Sequence, residues 1–394
     1  MAAAVNLLLL FMGYYYLDIH VLAISAKKFA ESGVSPYEWC ERPLCSPEYR
    51  WYVYPPLPFL IVAPFYALHP GPLAERLFVK IPALLGMALL THVLRKLGWS
   101  NRRTLAFVWL NPYFLYTATL RGNFDTLCVA LMLESYLYLR EGRAITAGVL
   151  GALSVLTKQY TAVILLPLLL SVKFPRKIAE YTISASLVSA LVAGPFLLRS
   201  PEGFINSTLI FHLGRVPSNY GLLGLKMLGD AAYILWNSAA GLPKGTVTHG
   251  GTHSVELLGI VLVLPLALGL LKVSLDAFLG RKEAEETLGT TAALFLTLSK
   301  VVNIQYFALL SVLDIGFWEW TLLALSGAVL SLDLAKSLIP LHVAPSTLWI
   351  PPVCGLDGTW VDGLSKLIGF ILYIPVLRTL LRSLGLVPFK PRGQ

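Results

Sequence analysis

Residues 121–143 read RGNFDTLCVALMLESYLYLREGR, and the reading of this stretch decides the fold. Its body, LCVALMLESYLYL, is almost wholly apolar, while charge gathers at both ends. A helix needs about 20 predominantly apolar residues to cross a bilayer, and the run from 124 to 140 approaches that length. The basic end, REGR at 140–143, marks a cytoplasmic loop, because short Lys/Arg-rich loops stay inside. RGNFDT then lies at the outer mouth of a membrane-spanning helix, where an Arg and an Asp need a reason to be.

The rest of the chain repeats the pattern. Of 394 residues 56% are hydrophobic and 13% charged, with a mean hydropathy of +0.69, far from the composition of soluble domains. Apolar stretches of about 16 to 24 residues recur from Leu8 to Leu381 with no soluble domain between them. The fold class expected is therefore all-α: one polytopic integral membrane domain over residues 1–394. The net charge of +9 does not point to nucleic acid, because basic residues come in twos and threes at the ends of apolar runs, where they set orientation. MAAAVNLLLLFMGYYYLD lacks the basic leader of a cleaved signal and reads as a retained first helix. WCERPLC puts Cys40 and Cys45 in one polar loop. A disulfide there, on an oxidising side, and two free thiols are both compatible with that spacing.

Five loops carry the inside signal: 95–103, 140–143, 173–177, 280–286 and the C-terminal tail. About twelve spans satisfy them all, at approximately 2–17, 77–95, 103–120, 124–140, 144–158, 160–173, 178–198, 254–275, 287–302, 304–317, 319–335 and 364–384. The run PPLPFLIVAPFYALHPG (55–71) is apolar, but its prolines and shortness suit a helix lying in the interface or re-entering it. The outside then holds three long segments, 18–76, 199–253 and 336–363, against short inside loops. Interfacial helices in them would roof a cavity on the outer face.

The ionisable groups on that face are mostly cations: Arg121, Lys158, His212, Arg215 and Lys300, with Asp18 and Asp125. A charge at the hydrocarbon boundary costs on the order of 1–3 kcal/mol unless it snorkels, pairs or lines a wet cavity. Asp18, at the end of the first apolar run in YYYLDIH, reads either as a carboxylate solvated by headgroups or as a general base at the edge of a dry pocket; His20 beside it reads as facing water. Asp125 reads as a first-turn helix residue, capped there by itself or Asn123. Arg121 opposes that dipole and is better placed facing an anion. Lys158 and Lys300 can snorkel, yet Gln159 with Tyr160 and Gln305 with Tyr306 follow them closely, supplying neutral hydrogen bonds beside a point charge as a phosphate or sugar pocket needs. Arg215, near His212 in FHLGRVPSNYG, suits bidentate phosphate contact. The NST at 206–208 matches a glycosylation acceptor, a motif common by chance.

FVWLNPYFLYTATLRGNFDT, LTKQY, FHLGRVPSNY and SKVVNIQYF, in that order, resemble the luminal motifs of the first mannosyltransferases of glycosylphosphatidylinositol (GPI) assembly. They also resemble prokaryotic relatives of those enzymes in the GT-C class of polyprenyl-phosphate-sugar-dependent glycosyltransferases. The opening DIHVLAISAKKFAESGVSPYEW, then YVYPPL, looks like the first extracytoplasmic loop of that class. The resemblance implies inverting transfer of a hexose, mannose by preference, from a dolichyl- or polyprenyl-phosphate carrier to a lipid-linked or glycan acceptor on the extracytoplasmic face. It implies Asp18 as base, Lys158, Arg215 and Lys300 near the carrier phosphate, and Arg121, Asn123 and Asp125 in the second-loop motif. The GPI enzymes carry DxD in the first loop; here the third position is His20, so no paired-carboxylate motif supports a divalent metal, and no cofactor is assigned. The compact chain fits a prokaryotic relative in a cell membrane; a eukaryotic one would sit in the endoplasmic reticulum. The competing reading is a secondary transporter or flippase of an anionic or lipid-linked substrate, against which stand the lack of a two-fold repeat and the concentration of charge at the outer face.

Overall fold

The computed structural model describes residues 2–11, 17–38, 52–214, 218–219, 222, 232, 236, 261, 263–299, 301–302, 306–309, 367 and 373–383. The chain opens with α1 (Ala2–Phe11) and α2 (Leu17–Ser32), followed by α3 (Leu57–Tyr66), α4 (Pro72–Phe78) and α5 (Ile81–Lys96). A broken stretch comes next. Here α6 (Asn101–Thr104) widens into a π-helical turn over Leu105–Trp109, and α7 (Pro112–Phe114) continues as a π-helix over Leu115–Leu120. The break is local chemistry: Pro112 has no N–H to donate, and the Asn111 side chain restarts the helix by accepting from the Tyr113 N–H at 2.9 Å.

The stretch that decided the fold forms α8 (Asp125–Arg140), and all its residues except Tyr138 and Arg140 are buried. A helix apolar on every side belongs inside a bundle. It packs between α5 and α9 (Ala144–Thr157), and α9 packs in turn on α11 (Pro175–Arg199). The α9–α11 approach depends on Gly148, where a Cβ would collide with Ser184 Oγ and the Tyr181 carbonyl. Glu134, the one acid in the body of α8, is 4% exposed and is met by Lys96 Nζ at 3.3 Å and His92 Nε2 at 3.4 Å. Around this centre lie α10 (Thr161–Leu170), α12 (Pro201–Ile205, continuing as a π-helix over Asn206–Ile210), α13 (Phe211–Gly214), α14 (Leu264–Phe278), α15 (Ala284–Leu298) and α16 (Tyr373–Ser383).

Among the described residues, two hydrophobic cores result. The larger joins α5, α8, α9, α10 and α15. The smaller joins α2, α3 and the aromatics Tyr37, Tyr52 and Tyr54, with Phe196 from the end of α11 and Phe124 from the RGNFDT loop. The smaller core is thus a separate cap, and Phe124 is where the loop enters it.

Among the described residues, Pro72–Lys96 (α4 with α5) and Pro175–Arg199 (α11) are long and apolar enough to cross a membrane. On α11, Ile183, Leu187, Leu191 and Leu198 are 60–85% exposed; a continuous apolar face of this kind is the surface a helix offers to lipid.

Several sequence expectations need correction. Of the first span, drawn over 2–17, α1 covers Ala2–Phe11 and residues 12–16 lie outside the described residues; Asp18, expected to end that helix, lies in the first turn of α2. The span drawn over 287–302 stops at Leu298 (α15), and the chain then extends into β2 (Val301–Val302), paired in parallel with β1 (Ser218–Asn219). Among the described residues the all-α class therefore holds apart from one two-residue strand pair. Residues 55–71 contain only the ten-residue α3, with Pro64 inside it, about 15 Å of helix and too short to span. The runs at 124–140, 144–158 and 178–198 became α8, α9 and α11 with ends moved by a few residues. The spans at 319–335, the outer segment 336–363 and the pair Cys40 and Cys45 lie outside the described residues.

Candidate active site

The RGNFDT loop is shaped by Gly122, whose φ of +76° is a conformation that side chains resist. A Cβ there would also sit 3.0 Å from Lys80 Cγ and 3.5 Å from Ile19 Cγ2. The loop therefore rests directly on the first turn of α2, next to Asp18, and on Lys80 just before α5. Lys80 is fully buried and donates to two carbonyls of α1, Leu9 O and Leu10 O, both at 3.0 Å. Arg121 turns to Tyr116: Nη1 donates to the hydroxyl at 3.0 Å, with the guanidinium 5.0 Å from the ring centre.

Beneath the loop lies a buried ion pair. Lys158 leaves the end of α9 in extended conformation, and its Nζ reaches Asp125 Oδ2, in the first turn of α8, at 2.8 Å. The two side chains are 3% and 2% exposed. Three rings enclose the ammonium, with centres at 4.9 Å (Tyr54), 5.0 Å (Phe124) and 5.1 Å (Tyr306). Aromatic faces attract a cation most strongly where water is excluded. The second carboxylate oxygen of Asp125 accepts from the Tyr160 hydroxyl at 3.4 Å, which is also 3.2 Å from Cys128 Sγ. Asp18 is half-buried and close enough to act electrostatically on both Lys158 and Asp125. A half-buried carboxylate thus acts electrostatically on a buried, neutralised pair.

The cap is pinned through one backbone carbonyl. Val53 O accepts from Gln159 Nε2 at 3.2 Å and lies 2.8 Å from His212 Nε2; Gln159 Nε2 also donates to Thr208 O at 3.1 Å. The neighbouring carbonyl, Tyr54 O, accepts from the Tyr37 hydroxyl at 2.7 Å. Burial, and then the neighbouring Tyr52, pushes the Tyr37 hydroxyl well above the ordinary tyrosine range, and burial does the same to Tyr52. Both keep their protons at any physiological pH.

The sequence-predicted site residues therefore separate by role. Asp125, Lys158 and Tyr306 come together, within electrostatic reach of Asp18. Asn123 is 2% exposed in the same loop, and its Nδ2 has no hydrogen-bond partner among the described residues. Gln159 and His212 hold the backbone of the cap. Arg121 engages Tyr116. His20 is half-buried on α2, not fully turned to water. Arg215, Lys300 and Gln305 lie outside the described residues, but their flanks meet: Ser218 and Asn219 pair with Val301 and Val302, and the Leu222 N–H donates to Ser299 O at 2.8 Å. Asp125 both begins its helix and neutralises Lys158, so the ammonium expected to face a bound anion is committed to a carboxylate. Sequence reasoning missed Tyr54, Phe124 and Lys80. Tyr54 and Phe124 were visible inside the YPPL and RGNFDT motifs; Lys80, a lone cation in an apolar run, was signal enough to ask for a partner.

The profile of Glycosyltransferase family 87 matches residues 52–302, more than half of the chain. GPI mannosyltransferase 1 of Dictyostelium discoideum is 24% identical over 402 aligned positions, covering 92% of this chain and 84% of its own length. The crystal structure of ArnT from Cupriavidus metallidurans in the apo state aligns over 97% of this chain and 77% of its own, at 16% identity and a TM-score of 0.39. The motif resemblance to a glycosyltransferase family is borne out by the first two matches.

Proposed function

The chain belongs to glycosyltransferase family 87, and from that premise we propose that it is an inverting, membrane-embedded transferase that moves a hexose, mannose by preference, from a polyprenyl- or dolichyl-phosphate carrier to a lipid-linked or glycan acceptor at the extracytoplasmic face. The observation that supports this reading is the electrostatic reach of half-buried Asp18 to the enclosed Asp125–Lys158 pair. The GPI mannosyltransferase relative supports mannose.

In this mechanism the Asp18 carboxylate takes the proton of an acceptor hydroxyl. The hydroxyl oxygen attacks the anomeric carbon from the face opposite the phosphate, the carbon–oxygen bond to phosphate breaks, and the carrier phosphate leaves with the electron pair. Asp18, not Asp125, is the base, because a base must reach the proton it abstracts; Asp125 is 1% exposed and tied to Lys158. Arg215 and Lys300 take the phosphate directly, a reading supported by the pairing of nearby Ser218–Asn219 with Val301–Val302. Lys158, committed to Asp125, shapes the floor of the pocket and leaves the phosphate charge to Arg215 and Lys300. Asn123 offers its amide to the sugar or phosphate.

The test incubates purified protein, in detergent and in sealed vesicles, with radiolabelled polyprenyl-phosphate mannose and a lipid extract. Label on a new lipid or glycan is the expected result. Label accumulating inside vesicles without a new product would replace this reading with transport.

A further inference from the structure

A second charged cluster lies at the end of α8 opposite Asp125, the end that the basic loops 95–103 and 140–143 mark as cytoplasmic. Its centre is Tyr138, thirteen residues and about 20 Å of helix from Asp125. Lys96 Nζ, at the end of α5, stands 4.8 Å from the Tyr138 ring centre, and the Arg143 guanidinium, just before α9, stands 4.4 Å from it. Two cations therefore converge on one ring, where they repel each other and an anion between them would relieve the repulsion.

The neighbouring acids leave that role open. Glu134, one turn back on α8 and 4% exposed, gives Oε2 to Lys96 Nζ at 3.3 Å and Oε1 to His92 Nε2 at 3.4 Å. It fixes both side chains from behind, and Lys96 keeps donors to spare, since an ammonium carries three. Glu141 meets Arg143 only at 3.9 Å, with both side chains at least half exposed, a geometry of little energetic consequence. The two loops carry six Lys/Arg, of which Arg95 and Arg102 form no ion pair among the described residues, so positive charge is in surplus. Position then selects the anion. On α5 the exposed residues Leu85, Ala88, His92 and Lys96 follow one another at helical spacing along one face. That face runs from hydrocarbon to nitrogen bases, the polarity profile of a phospholipid; a soluble anion would make no use of its apolar half.

We propose that this cluster binds an anionic phospholipid of the cytoplasmic leaflet, its phosphate taken by Arg143 and Lys96 and its acyl chain lying on Leu85 and Ala88. The inference is independent of the transferase reading. Basic pockets between helix ends on the cytoplasmic side suit such headgroups, and the planar guanidinium matches a phosphate in two hydrogen bonds.

The probe is phosphatidylglycerol with a diazirine in its acyl chain, added to the full chain in detergent, with labelled peptides mapped by mass spectrometry. Labelling should fall on residues 85–92. Unlabelled phosphatidylglycerol should compete at least about tenfold better than phosphatidylcholine, and inorganic phosphate should not compete. Arg143→Gln should cut the labelling about tenfold, while Arg102→Gln, the same change of charge away from the Tyr138 ring, should leave it within about twofold. If Arg143→Gln does not fold, Lys96→Gln combined with Glu134→Gln, which strands no buried charge, is read the same way. Equal competition by phosphatidylcholine, labelling elsewhere, or an equal effect of Arg102→Gln would overturn the proposal. Competition by inorganic phosphate would replace the lipid with a soluble anion.

Discussion

Removing one member of the Asp125–Lys158 pair is the sharpest perturbation the structure offers. The pair is 2.8 Å long, its side chains are 3% or less exposed, and three rings exclude water from it. An exposed pair contributes about 0–1 kcal/mol; this pair belongs to the buried regime, in which deleting one partner strands a charge and costs about 3–5 kcal/mol. Lys158→Met removes the cation and leaves the Asp125 carboxylate with Tyr160 as its described donor. The expected loss corresponds to roughly a hundred- to several-thousand-fold shift in the folding equilibrium, since each 1.4 kcal/mol is tenfold. Asp125→Asn, which strands the ammonium among the rings, should cost a similar amount. The double variant, with no buried charge, should recover at least half of the loss of either single variant. The assay is thermal and denaturant unfolding of the purified protein in one detergent, closed as a double-mutant cycle. Single-variant costs below about 1 kcal/mol, with no coupling between the sites, would place the pair in the solvated regime and refute the enclosed-pocket argument.

Gln159→Leu removes the hydrogen bonds to Val53 O and Thr208 O; at about 0.5–1.5 kcal/mol each the loss is about 1–3 kcal/mol, and limited proteolysis should detect a loosened cap in the 201–214 region. Gly122→Ala puts a side chain at φ +76° and a Cβ 3.0 Å from Lys80 Cγ; we expect a loss of about 1–3 kcal/mol, read by unfolding, and a fall in transfer. Tyr37 and Tyr52 have raised folded-state values, so their stabilisation is complete below the ordinary tyrosine value of about 10 and is lost as pH rises beyond it. Their contribution to unfolding temperature should be flat from neutral pH to about 9.5 and then decline, and the alkaline decline should be shallower in Tyr52→Phe.

What could be read from the sequence was local. The α8, α9 and α11 helices were legible because each is one apolar run bounded by basic loops. Asp18, Asp125, Lys158 and Tyr306 were legible as chemistry that an apolar chain would not carry without cause. The Asp125–Lys158 pair was not, because 33 residues separate its members and nothing local says which cation meets which acid. Counting cations on one face therefore suggested an anion where the fold supplies a carboxylate. The roles of Gln159 and His212 were hidden similarly, since both bind a backbone carbonyl that carries no sequence signature. The first-turn position of Asp18 in α2 had no sequence signature of its own.

The central claim is that Asp18 performs the proton transfer beside a pocket built by other residues. Its direct test is Asp18→Asn in purified protein, with sugar transfer and carrier binding measured on one preparation. The account predicts loss of transfer by at least two orders of magnitude, in line with the roughly 10²–10⁴-fold contribution of a general base, with polyprenyl-phosphate binding within about threefold of wild type, small against the tenfold that each 1.4 kcal/mol represents. Transfer retained in Asp18→Asn, with carrier binding lost, would contradict it.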